Sequence, residues 1–112
     1  WALMANNKSW FWYDSTANIA VGETIHFVLT YDGNHVKSYK NGDLVQTYTY
    51  PSGGVLKNQT SCYPKLNARG CTRTDVHTPG NHTFYEFRIY DRAITLSEVQ
   101  QNFNAGRNRF GI

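Results

Sequence analysis

The groups in this chain that could do acid–base, metal or redox chemistry are eight carboxylates, four histidines and two cysteines. Their spacing decides what they can do. The carboxylates (Asp14, Glu23, Asp32, Asp43, Asp75, Glu86, Asp91 and Glu98) are scattered along the sequence, whereas acid–base catalysis needs groups brought within reach of one reacting bond. There is no Ser-His-Asp order and no nucleophile elbow. The histidines at 26, 35, 77 and 82 fall at no ligand spacing within one element, so they read as ordinary strand or loop residues that require no zinc.

Cys62 and Cys71 bracket a turn-rich stretch containing Pro64, Asn67 and Gly70. A zinc site would need further ligands close by, and no Cys-x-x-Cys occurs. The expectation is a local disulfide, which implies an oxidising compartment and hence a secreted or cell-surface protein; the alternative is two unpaired buried thiols. Acceptor triplets for N-linked glycans at Asn58 (Asn-Gln-Thr) and Asn81 (Asn-His-Thr) fit that compartment. The chain has eleven Asn and seventeen Ser or Thr, so about two such triplets arise by chance and they do not establish it.

The remaining chemistry is aromatic. Eight Tyr, six Phe and three Trp accompany a hydrophobic content of only 40%, and each ring buries a large area, so the chain can still build a modest core. Exposed Trp and Tyr rings also stack on the C–H faces of sugars while Asn, Asp and Arg bond the hydroxyls. Trp10 and Trp12 fall on one face of a strand. Tyr48 and Tyr50 share another, with Tyr39 across the hairpin. These five are candidate carbohydrate-binding residues; alternatively the rings pack a core or a neighbouring subunit.

Charge and hydropathy exclude two classes. The net charge is +3, but the eleven Lys and Arg are spread along the chain with local density only in Gly106–Phe110, so no nucleic-acid footprint forms. No stretch approaches the roughly 20 apolar residues a membrane span needs. The N-terminal WALMANNKSWFW has neither the basic start nor the apolar run of a signal peptide. Nor does the chain begin with Met, so it reads as a processed or excised piece of something longer.

These groups must be positioned by strands. Thr24–Tyr31 alternates Ile25, Phe27, Leu29 and Tyr31 against His26, Val28 and Thr30, the period of a strand. Asp32-Gly33-Asn34 is a turn, with Gly33 free to take positive φ and Asp32 able to bond the turn backbone. His35–Lys40 is a second strand. Asn41-Gly42 then signals a tight hairpin in which both residues have φ > 0, and 43–50 is a third strand. Trp10 and Trp12 lie on a strand at 9–13, preceded by one at WALMA, and short strands are expected near 55–58 and 65–72. The segment 83–91, TFYEFRIYD, alternates throughout and is expected to be a strand. One helix is expected from 96 to about 104: Thr95 and Glu98 have capping-box spacing, Ile94 and Val99 a hydrophobic-staple spacing, and Gly106 supplies a stop. Leu96, Val99 and Phe103 should dock on the sheet.

The run IHFVLTYDGNHVKSYKNGDLV followed by FYEFRIYDRAITLSEVQQNF resembles the C-terminal portion of a concanavalin A-like lectin/glucanase, laminin G-like jelly-roll domain. The resemblance rests on Tyr31-Asp32-Gly33, on the Tyr39-Lys40-Asn41-Gly42 hairpin and on Arg88–Ala93 leading into Ser97-Glu98, over roughly residues 20 to 106. It implies an all-β antiparallel sandwich with one short C-terminal α-helix, residues 1–112 forming a single domain that lacks its N-terminal strands. Either those strands precede this segment or the domain is a shortened variant. Glycosidases of this fold carry two or three acids close together on one strand; the corresponding face here reads Glu86, Arg88, Tyr90, with one carboxylate. Related lectin-like domains bind Ca²⁺ through Asp and Asn on rim loops, which makes Asp32 and Asn34 candidate calcium ligands; the alternative is simple turn chemistry. The expectation is therefore a non-catalytic extracellular lectin-like binding or adhesion module recognising glycan or a surface protein. The alternatives are a structural subunit of an extracellular filament or surface assembly, and a remnant of a glycosidase-type jelly roll. Open sheet edges favour association, so self-association or a flanking chain that completes the sandwich is expected.

Overall fold

The computed structural model describes the backbone of residues 2–4 and 10–12, and residues 19–49 and 81–112 in full. Two compact units are distinguished, one comprising Trp1–Leu56 with Tyr90–Ile112, the other Lys57–Ile89. In the first unit, β1 (Ala2–Met4) pairs antiparallel with β2 (Trp10–Trp12), Ala2 opposite Trp12 and Met4 opposite Trp10. A second sheet is a three-stranded antiparallel meander of β3 (Phe27–Tyr31), β4 (His35–Lys40) and β5 (Asp43–Thr49), with β4 in the centre. A single helix follows, α1 (Leu96–Phe110). Antiparallel sheet plus C-terminal helix is the expected fold class.

Both hairpins are set by turn chemistry. At the β3–β4 connection the Asp32 carboxylate Oδ1 accepts from the backbone N–H of Asn34 (2.9 Å) and His35 (2.7 Å), while Gly33 sits at φ 99°. At β4–β5, Asn41 (φ 53°) and Gly42 (φ 90°) form the two-residue connection between the paired Lys40 and Asp43. Positive φ at both positions matches the right-handed strand twist. Asn41 also extends the other ladder. Its backbone N–H donates to the His26 carbonyl and its side-chain Oδ1 accepts from the His26 N–H, both at 2.9 Å. The β3 ladder thus begins at Phe27, with His26 held by this turn rather than by β4.

The third strand departs from simple alternation. β5 pairs Leu44 with Tyr39 but Gln46 with Ser38, leaving Val45 as an extra residue in a bulge. Beyond a one-residue bulge every side chain changes face. Without it Tyr48 would oppose His35, on the Tyr39 side; with it Tyr48 opposes Val36, on the other.

The core lies between one sheet face and the start of the helix. Tyr39, Ile94 and Val99 are buried together, with Val28 packed against them. Val36 and Ser38, on the opposite face of β4, are buried as well. Helix α1 starts as the sequence predicts: the Glu98 N–H donates to the Thr95 side chain, and the Thr95 N–H donates to the Glu98 carboxylate at 2.8 Å. Ile94 and Val99, one residue before the cap and four after it, are both in the core, which is the staple geometry.

Three expectations are corrected. The helix does not stop at Gly106 but runs to Phe110, where Gly111 (φ 69°) donates to the Arg107 carbonyl. An interior glycine costs only about 1 kcal/mol. Here the Phe110 ring lies 3.5 Å from where a Gly106 Cβ would stand, and Arg107 and Arg109 occupy the last turn, where cations favour the helix dipole. Leu96 is not docked but 45% exposed; Val99, one turn on, is the helix residue that enters the core with Tyr39. Residues 83–91 form no strand. The alternation is real, but a strand exists only through hydrogen bonds to a neighbour, and this segment joins no ladder among the described residues.

The burial contrast on α1 is directly measurable. Val99→Ala, deleting two methyls from a fully buried site, should lower unfolding free energy by about 2 kcal/mol in denaturant titration, whereas Leu96→Ala should cost under about 1 kcal/mol. Equal losses would contradict this packing.

Candidate functional site

A cleft of about 360 Å³ opens where the sheet face meets the chain leading into the helix, lined by Thr30, Asp32, Lys37, Tyr39, Leu44, Ala93, Ile94, Thr95 and Leu96. One wall is the sheet. Thr30 and Lys37 are cross-strand partners, as are Tyr39 and Leu44, so strand alternation delivers all four to one face. Asp32 joins them from the β3–β4 turn. The other wall is Ala93–Leu96, whose course is fixed at both ends. Ile94 is anchored in the core, and the Arg92 guanidinium makes a two-pronged contact with the Glu98 carboxylate, Nη1 to Oε2 at 2.9 Å and Nη2 to Oε1. The same carboxylate holds the Thr95 N–H. Asn102 reaches back to the Tyr90 hydroxyl at 3.0 Å, tying the helix to the residue that opens this connection.

The cleft lining mixes apolar and polar groups, with Leu44 and Leu96 exposed and Thr30, Tyr39 and Ile94 buried. Tyr39, Leu44, Ala93, Ile94 and Leu96 present carbon, while Thr30, Asp32, Lys37 and Thr95 supply hydroxyls and one charge of each sign. The Asp32 carboxyl is held below its usual range, first by the backbone N–H groups of Asn34 and His35, so it is an anion and a poor proton donor. Oδ2 of Asp32 lies 3.2 Å from His35 Nδ1. Among the described residues lining the cleft, Asp32 supplies the one carboxylate, whereas glycoside hydrolysis uses a pair. The arrangement suits binding: C–H surfaces against the apolar side chains, hydroxyls and charges against the polar ones.

The sequence candidates fare differently. Tyr39 is 4% exposed and belongs to the core, and it lines the cleft rather than standing out as an exposed ring. Tyr48 is 41% exposed, but the Val45 bulge puts it on the opposite sheet face from Tyr39. Trp10 and Trp12 lie on β2, described in backbone only, and Tyr50 lies outside the described residues. Asp32 and Asn34 share the β3–β4 turn, where Asp32 Oδ1 serves the turn backbone and Oδ2 faces the His35 ring. Among the described residues no three His, Cys, Asp or Glu side chains converge as metal ligands do. Asn81 is exposed within an exposed triplet. Asn58, Cys62 and Cys71 lie outside the described residues, as does a further acceptor triplet, Asn7-Lys8-Ser9. The cleft residues Lys37, Leu44 and Leu96 escape sequence reasoning because no motif marks them. The signal that could have found the Arg92–Glu98 clamp is a charge pair flanking the capping box.

The family model described as concanavalin A-like lectin/glucanases superfamily (Laminin G) matches residues 1–100. A 2.1 Å crystal structure of an S-layer domain-containing protein (residues 221–444) from Clostridium thermocellum ATCC 27405 is similar to the chain. Its TM-score is 0.51 and its identity 20%, over 80% of this chain and 43% of that one. The chain thus spans less than half the length of that structure. No curated protein gives a significant match.

The Glu98 clamp has a pH signature. Arg92 first, then the Thr95 backbone N–H, lower the Glu98 carboxyl from an ordinary 4.5 to about 2. A carboxyl depressed in the folded state stabilises fully above its unfolded value and loses that contribution as pH falls through the folded one. Stability of the helix N-terminus should therefore decline between about pH 4.5 and 2, and Glu98→Gln should flatten that part of the profile, as followed by thermal unfolding against pH. An unchanged profile in the variant would remove Glu98 from this role.

Proposed function

The chain belongs to the concanavalin A-like lectin/glucanase superfamily, and we propose that it is a non-catalytic binding module of an extracellular surface. Its ligand is a glycan or a glycan-bearing surface protein, taken in the cleft between the β3–β5 sheet and Ala93–Leu96. The observation that carries this reading is the cleft itself. Its volume is about 360 Å³, within the roughly 300–1,000 Å³ of small-ligand clefts, and its mixture of apolar side chains with a few polar groups is what orients a ligand. A sugar would lay its C–H face on Leu44 and Leu96 and offer hydroxyls to Thr30, Asp32, Lys37 and Thr95.

An extracellular setting is supported by the family, by the acceptor triplet at exposed Asn81, by the proposed Cys62–Cys71 disulfide, and by the S-layer protein of similar fold. The aromatic set Trp10, Trp12, Tyr48 and Tyr50 is the competing platform, and Ca²⁺ at Asp32 and Asn34 is an accessory proposal that a binding assay with and without chelator resolves. A second reading, a structural module of a surface assembly, draws on the printed name of the S-layer neighbour and on the exposed aromatics of residues 84–90.

A glycan array followed by calorimetric titration of the hits tests the first reading. Lys37→Ala and Leu96→Ala should each weaken binding by about tenfold, in line with the loss of one hydrogen-bonded or apolar anchor, with little change in melting temperature. Loss through Trp12→Ala with Leu96→Ala silent would move the site to the aromatic platform. No glycan hit would contradict the lectin reading.

A further inference from the structure

Asn41-Gly42, which the fold uses as a turn, is also a chemically reactive pair. The chain has eleven Asn, and Asn41 alone is followed by glycine. A backbone nitrogen with no side chain beside it can attack the asparagine side chain that precedes it. The Gly42 nitrogen loses its proton and bonds to Asn41 Cγ, the Cγ–Nδ2 bond breaks, and ammonia leaves with that proton. Water then opens the resulting succinimide at either carbonyl. Breaking the new bond to Cγ leaves aspartate. Breaking the original peptide bond leaves isoaspartate, whose main chain runs through the side chain and is one methylene longer.

The folded turn blocks the first step. Ring closure needs the Asn41 Cβ and the Gly42 nitrogen on the same side of the Cα–C bond. Positive φ at both residues, 53° and 90°, is the type I′ geometry, whose first residue has ψ near about +30° and so holds these two groups on opposite sides. Asn41 is also fixed at two atoms: Oδ1 accepts from the His26 N–H, and its own N–H donates to the His26 carbonyl, both at 2.9 Å. Gly42 is buried, with the Phe103 ring and the Gln100 side chain over the place where its Cβ would stand. Cyclisation therefore requires rotation about ψ, release of His26 and separation from the helix, which together amount to a local opening.

We propose that Asn41 is a self-modification site that reacts only in molecules whose β4–β5 turn has opened, and that isoaspartate then prevents the turn from re-forming. A two-residue connection between the paired Lys40 and Asp43 is the tightest available and takes no added methylene without losing that pairing. Aspartate is different, because it keeps an oxygen for the His26 N–H and tolerates positive φ. The loss of structure thus belongs to the isoaspartyl product alone. The reaction does not depend on what the cleft binds.

Peptide mapping by mass spectrometry tests it on the 112-residue chain, incubated at mildly alkaline pH with and without urea. In urea Asn41 should convert first among the asparagines, releasing ammonia, with isoaspartate among the products. In the folded chain conversion should be at least about tenfold slower, as expected of a reaction confined to a minor open state. Phe103→Leu, which loosens the cover over Gly42, should speed conversion in the folded chain and leave the rate in urea unchanged. The isolated isoaspartyl form should unfold at lower denaturant than the unmodified chain, whereas Asn41→Asp should stay close to it. Equal rates with and without urea, no conversion at Asn41 in urea, a folded-state rate indifferent to Phe103→Leu, or an isoaspartyl chain as stable as the unmodified one would each overturn the proposal.

Discussion

The two residues Asn41 and Gly42 are the constraint on which the described core depends, because three elements meet on them. Their positive φ values connect β4 to β5 in the tightest way available. The Asn41 side chain and backbone together hold His26, so the turn that ends one hairpin also aligns the strand on the far side of β4. A Cβ at Gly42 would come within 3.1 Å of the Phe103 ring, so the absent side chain is the seat on which the helix rests. The His26 ring stands 5.9 Å from the same Phe103, and the Arg107 guanidinium lies 5.6 Å from its centre. Phe103 is thereby enclosed between turn, strand entry and its own last turn.

Given that seat, the other end of the helix can be placed by local chemistry. The capping box, the Ile94–Val99 staple and the Arg92–Glu98 contact converge on one short stretch of chain. Together they hold Ala93–Leu96 across from β3–β5 at a fixed separation, which leaves the cleft open rather than collapsed. Its binding character follows from which side chains the alternation and the cap deliver: carbon from Tyr39, Leu44, Ile94 and Leu96, polarity from Thr30, Asp32, Lys37 and Thr95. On the strand side Glu23 reinforces the arrangement. It is paired with Lys40 at 2.7 Å, and it is held anionic by Lys40 first and the Ala20 N–H next.

Features written in short-range chemistry were legible in the sequence. Gly33, Asn41-Gly42, the strand periods of β3 to β5, and Thr95 with Glu98 each state their structure through near neighbours. What was not legible depends on partners distant in sequence. No local signal distinguishes Val45 as an extra residue, yet that bulge decides that Tyr48 and Tyr39 face opposite ways. The alternation of 83–91 is a strand signal, but the segment joins no ladder among the described residues. Gly106 looks like a stop until Phe110 and the two arginines beyond it are seen to continue the helix. The cleft is legible least of all, since its walls come from residues 30–44 and 93–96, and nothing in either stretch predicts the gap between them. The candidate sugar-binding residues were chosen as aromatics, and nothing in the sequence says that the Tyr39 ring is spent on the core.

The central claim, that the missing side chain of Gly42 seats the helix on the sheet, is tested most directly by a double-mutant cycle of Gly42→Ala and Phe103→Ala in chemical denaturation. Backbone strain at φ 90° is present in either background, so it cancels. The account predicts that Gly42→Ala costs about 1 kcal/mol more when Phe103 is present than when it is alanine. Strictly additive losses would show that ring and turn do not meet, and would contradict it.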